Sequence, residues 1–93
     1  MKANEILIDV LKNTMNQDGS RYTQTQMAEE LSEKAGKKVT LAAVNDRLKN
    51  ENIKISNFIE MLDLMGYEVV ARPKNDKRAE YVVEAGTDRK RVK

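Results

Sequence analysis

Between Thr23 and Ser56 the chain reads TQTQMAEELSEKAGKKVTLAAVNDRLKNENIKIS. Two short stretches of helical period lie on either side of a basic turn, and a polar loop follows. In the first stretch Met27, Leu31 and Ala35 face inward, with Ala28 beside them, where a small side chain lets two helices approach closely. Glu29, Glu30 and Glu33 take the outer side. Thr23 and Gln26 stand three apart, the spacing of a capping box in which each satisfies a free backbone N–H. Gly36 suits a C-terminal cap in the left-handed conformation. Lys37 and Lys38 fill the turn, and Val39 anchors it in the core. Thr40 caps the second stretch, which runs to about Lys49 with Val44 and Leu48 buried one turn apart. Leu41 either joins them or faces outward. Ala42, Ala43, Asn45, Asp46 and Lys49 cover the remaining faces.

The flanking segments support this pair. Ile6, Leu7, Val10, Leu11 and Met15 recur at helical spacing and predict a helix from Ala3 to Met15, stopped by Asp18-Gly19-Ser20. Ser56 is placed to cap a fourth helix, with Phe58, Ile59, Leu62 and Met65 inward, Met61 and Leu64 widening the stripe, and Gly66 at its end. The period then changes to two. Tyr67, Val69 and Ala71 alternate with Glu68, Val70 and Arg72; a second run spans Glu80 to Glu84. The polar link between them contains Pro73, Lys74, Asn75, Asp76 and Lys77. This predicts a β-hairpin. The expected fold is mainly α: a helix-turn-helix domain of four to five helices over 1–66, a short C-terminal hairpin over 67–84, and a flexible basic tail over 85–93.

Several kinds of chemistry are missing from this alphabet. Cysteine and histidine are both absent, which removes disulfides, the usual zinc ligands and the usual general base. There is no phosphate-cradling glycine loop and no cluster of acids at metal-ligand spacing; Glu29 and Glu33 form an exposed helix face. Catalysis is therefore not expected, nor a cofactor or metal. No apolar run is long enough to span a membrane, and acids interrupt the N-terminal apolar pattern, so a cytoplasmic protein is expected.

The net charge of +2 is unevenly spread. Residues 1–36 carry 4 basic and 6 acidic groups, and 58–71 carry none and 3. Residues 37–57 carry 5 and 2, and 72–93 carry 8 and 4. Positive charge thus gathers on the turn, the second helix of the pair, its exit loop and the C-terminal end. Phosphate attraction acts over about 8–10 Å, so such a patch matters more than the total. Two helices joined by a short turn, the second opening with small residues, is the layout in which the second helix can lie in the major groove of DNA.

Residues Thr23 to Val70 resemble the phage repressor/Cro-like (XRE-type) helix-turn-helix family. The resemblance rests on TQ at a helix start, the pair Met27-Ala28, the pair Val39-Thr40 before a helix with Val44 inside, and the phrase LDLMGYEV from Leu62 to Val69. Each motif alone is weak; their order is more specific. One departure stands out: the path from the helix-two alanine to the helix-three valine is longer here. The excess is about six residues if Ala28 is the equivalent position and about two if Ser32 is, so either the helix or the turn is enlarged.

The resemblance implies that Gln24 contacts phosphate or braces the next helix, and that Thr40, Leu41, Ala42 and Ala43 enter the groove. Small side chains let a helix sit deep, and Ala, Leu or a Thr methyl can touch a thymine methyl. Asn45, one turn after Leu41, can pair with adenine through two hydrogen bonds, and Asn is a mediocre helix former with little other reason to be there. Asp46 would repel phosphate and is expected to turn away. Arg47 faces DNA or pairs with an acid. Lys37, Lys38, Lys49, Asn52 and Lys54 would position phosphates without reading sequence. Thr40 is also simply a cap, and the two alanines are also simply good helix formers.

One such unit reads few base pairs, so a homodimer on a palindromic operator in double-stranded DNA is expected. Tyr67, Val69, Val70, Tyr81, Val82 and Val83 offer more apolar strand surface than a two-stranded hairpin can bury, which marks the hairpin as the dimer interface. The implied function is a dimeric repressor that autoregulates a phage or mobile-element operon by occluding its promoter. The competing reading is a protein-interaction module, an antitoxin or an inhibitor of a host defence protein, that keeps the fold but binds a protein partner.

Overall fold

The computed structural model describes residues 1–75 and 79–85. Four helices, α1 (Ala3–Asn13), α2 (Gln24–Ala35), α3 (Leu41–Lys49) and α4 (Ile55–Leu64), precede two strands, β1 (Val69–Ala71) and β2 (Tyr81–Val83). The strands form a two-stranded antiparallel sheet with Val70 opposite Val82. The architecture is thus mainly α with a short C-terminal hairpin, as the periodicities predict. The tail beyond Ala85 and part of the link between the strands lie outside the described residues.

The core is built from one stripe per helix. Leu7, Met27, Val44 and Met61 are fully enclosed, and Tyr22, Ala28, Leu31, Leu48, Leu62 and Met65 complete the cluster. α1 packs on α3 and α4, and α2 on the same two helices. Val10, Leu11, Val39, Ile53, Phe58 and Leu64 close the margins.

Several positions depart from the periodic reading. α1 ends at Asn13, where the Asn13 amide donates to the Asp9 carbonyl and the Thr14 hydroxyl to that of Val10. Met15 therefore lies past the helix and is exposed, pairing as an isolated bridge with Arg21. The Asp18 carboxylate accepts from the Ser20 hydroxyl at 2.6 Å and the Ser20 N–H at 2.9 Å, and these bonds hold its pKa below the ordinary value. Ala35, expected inside, is exposed at the last turn of α2. Ser56 is not a cap: the cap is Lys54, two residues earlier, whose carbonyl already accepts from the Phe58 N–H. The capping box at α2 is half made. Thr23 accepts from the Gln26 N–H, but the Gln26 side chain turns away to Asn16.

α4 ends in a complete Schellman arrangement. The Gly66 N–H donates to the Asp63 carbonyl and the Tyr67 N–H to that of Leu62. Gly66 sits at φ 88°, where a side chain would be strained although nothing lies within 4 Å of an added Cβ. This turn delivers the chain from the helical body to the hairpin.

Candidate nucleic-acid interface

α2 runs for 12 residues before the left-handed Gly36 at φ 70°. Four residues, Lys37 to Thr40, then lead into α3. Ser32 fixes this short turn. Its hydroxyl accepts from the Val39 N–H at 2.8 Å and lies 2.8 Å from the Ala28 carbonyl to which it donates. With Val39 packed on the core, Lys37 and Lys38 are left exposed at the apex.

Thr40 caps α3, its hydroxyl accepting from the Ala43 N–H at 3.1 Å. Leu41 faces outward, 48% exposed. Ala42 is exposed, while Ala43 and Asn45 are half-buried. Leu41, Asn45 and Lys49 are four apart and form one ridge, with Ala42 alongside. The Asn45 amide makes no hydrogen bond among the described residues, so its donor and acceptor are available for an external pair. Asp46 is exposed, one turn after Ala42. A carboxylate there repels phosphate but can accept from the amino group of cytosine. Arg47 forms no ion pair among the described residues; it is half-buried, with Nη1 enclosed and without a hydrogen-bond partner there.

The loop after α3 is tied down at both ends. The Asn52 N–H donates to the Asn50 side chain and the Ile53 N–H to the Asn50 carbonyl, while Glu51 pairs with Lys2 at 3.2 Å. Asn52 and Lys54 are exposed on it. Gln24 opens α2, half-buried. The remaining described ion pairs are Lys34 with Asp63 and Arg72 with Glu80. Lys37, Lys38 and Lys49 enter none among the described residues, so their charge is left to the surroundings.

Sequence reasoning missed the groups that hold α1 and α2 in place. Buried Asn4 donates to the Leu48 carbonyl at 3.1 Å, joining the start of α1 to the end of α3. Asn16 and Gln26 exchange two amide hydrogen bonds at 2.9 and 2.8 Å. Gln26 also donates to Glu30, and the buried Tyr22 hydroxyl donates to the other Glu30 oxygen at 2.6 Å. Glu30 is therefore a bonded partner rather than a free outer charge. Burial pushes the Tyr22 phenol well above its ordinary pKa, and the Glu30 carboxylate pushes the same way.

The surface between α4 and the hairpin has a different character. A cleft of about 330 Å³ between α4 and the hairpin is lined by Ile59, Val82 and Val83, by the carboxylates of Glu60, Asp63, Glu68 and Glu84, and by Lys34 of α2, which pairs with Asp63. On the hairpin Tyr67, Val70, Tyr81 and Val82 are exposed, whereas Val69 and Val83 are half-buried and Val69 packs on the core. Val69 thus serves the fold. Among the described residues no group of three or more acidic side chains is placed to hold a metal ion, and no helix is long and apolar enough to cross a membrane. Compared with known proteins, the chain matches no family model, no curated protein and no solved structure.

Proposed function

We propose that this chain is a sequence-specific DNA-binding transcriptional regulator, acting as a homodimeric repressor that occludes a promoter, its own operon's in a phage or mobile element. The observation that carries the reading is the outward surface of α3. Its first turn exposes Leu41 and Ala42, with nothing bulkier to hold a groove wall away, and Asn45 follows with an unengaged amide. Lys37 and Lys38 stand at one end of this surface and Lys49 at the other, none of them neutralised by a described acid. A helix with its side chains is about 10–12 Å across, which a major groove about 12 Å wide admits. In this reading Thr40, Leu41, Ala42, Ala43 and Asn45 meet base edges, with Asp46 favouring cytosine. Gln24, Lys37, Lys38, Lys49, Asn52 and Lys54 hold phosphates.

A gel-shift of the purified protein on its own upstream region tests this, with scrambled DNA as competitor and at two salt concentrations. A discrete, competitor-resistant shift is expected. Binding that scrambled DNA removes equally well would leave only charge attraction and sink the sequence-reading role.

A second reading is favoured by the cleft beside the hairpin, where four carboxylates surround a single lysine, Lys34. It suits a basic segment of a protein partner, as an antitoxin or a phage-encoded inhibitor would need. Retention of biological activity by variants of α3 that no longer bind DNA would favour it.

A further inference from the structure

The hairpin has two edges without a strand neighbour among the described residues, and they are not equivalent. The observed register pairs Val69 with Val83, Val70 with Val82 and Ala71 with Tyr81. Continued one residue past each strand end, it sets Glu68 opposite Glu84 and Arg72 opposite Glu80. The second of these pairs is seen as an ion pair at 3.1 Å. The first would set two acidic side chains opposite each other, an arrangement that destabilises a sheet unless a cation joins them.

We infer that two copies of this chain join β1 to β1 in antiparallel fashion, with the two-fold axis through Val70, making a four-stranded sheet. The inference rests on the homodimer reading above and fixes its edge and register. An antiparallel edge pair with a two-fold normal to the sheet must place the axis on a residue, so that opposed side chains share a face. With the axis on Val70, Glu68 meets the partner's Arg72, and Arg72 meets the partner's Glu68. Each arginine then lies between two glutamates, its own Glu80 and the partner's Glu68, and the Glu68–Glu84 repulsion is relieved at both ends. Between these charged rows Val82, Val70 and their two counterparts form one continuous valine stripe. Tyr67, exposed in the single copy, comes opposite the partner's Pro73. The other edge fails the same examination. An axis on Val82 would set Glu80 against the partner's Glu84 twice over. Because the axis is normal to the sheet, both helical bodies fall on the same side of it.

The absence of cysteine allows a clean test. The full-length Val70→Cys variant, oxidised without DNA, should cross-link to a covalent dimer, since directly opposed Cα atoms lie about 4.5–5.5 Å apart, within reach of a disulfide. The Val82→Cys variant should not, because its counterpart would be three strand spacings, about 14 Å, away. By sedimentation, Glu68→Arg should raise the dimer Kd about tenfold by turning two attractions into repulsions. The Glu68→Arg/Arg72→Glu double variant should restore it. A wild-type chain that is monomeric at every concentration overturns the inference. So does cross-linking through Cys at 82 but not at 70, or a double variant no tighter than Glu68→Arg. Cross-linking at 70 in a protein that gives no specific gel-shift leaves the pairing standing and removes the DNA reading.

Discussion

Leu31 in α2 and Val82 in β2 are both apolar residues on regular elements, yet Leu31 is 2% exposed and Val82 is 55% exposed. The same contrast holds between the regions they belong to. The helical body closes each apolar stripe against another helix. The hairpin packs only Val69 on the core, with Val83 half-buried, and leaves Tyr67, Val70, Tyr81 and Val82 uncovered. The difference teaches where free energy of folding resides. Burial of a side chain such as Leu31 contributes about 1.5–3 kcal/mol. A valine left in water contributes little to the fold of a single copy.

The contrast can be broken or sharpened by substitution. The largest effect is expected from Leu31→Ala, which deletes an enclosed side chain and should cost about 2–5 kcal/mol in denaturant unfolding. A loss well under 1 kcal/mol would mean that the helical body is far looser than its packing. Asn45→Ala should leave the unfolding midpoint almost unchanged but weaken operator binding by roughly 1–3 kcal/mol and relax preference at one base step. Uniform weakening on all DNA would remove Asn45 from base reading. Tyr22→Phe takes away the hydroxyl that donates to Glu30 and should cost about 1–2 kcal/mol at neutral pH. The pH dependence has a definite sign. The folded-state pKa of Tyr22 is raised above its ordinary value near 10. Its contribution is therefore complete below pH 10 and declines as pH rises above it. The gap between wild type and Tyr22→Phe should narrow in alkali; a constant gap would show that the phenol does not titrate with folding. The smallest effect is expected from Val82→Thr, within about 0.5 kcal/mol in dilute protein. A cost comparable to Leu31→Ala would show that the hairpin is as closed as the body.

The body was the more legible region. Helical period alone located Leu7, Met27, Val44 and Leu48 in the core, and Gly36 and Gly66 announced their helix ends because both need positive φ. Period could not show that α1 stops two residues before Met15, since the stop comes from side chains of Asn13 and Thr14 folding back on carbonyls four residues earlier. Nor could it find Asn4, whose partner Leu48 is 44 residues away, or Tyr22, which lies between elements and belongs to no stripe. At the candidate interface, spacing identified Thr40 as a cap and left Leu41 between two positions.

The Schellman turn at Gly66 makes the junction between body and hairpin a short, hydrogen-bonded elbow instead of a tether. In a two-fold pair such an elbow acts as a drafting compass set to one opening. The angle between the legs, not their contact with DNA, would decide how far apart two copies of α3 stand. Loosening the elbow at Gly66 would then widen the range of half-site spacings the pair accepts before it altered the bases preferred within each half.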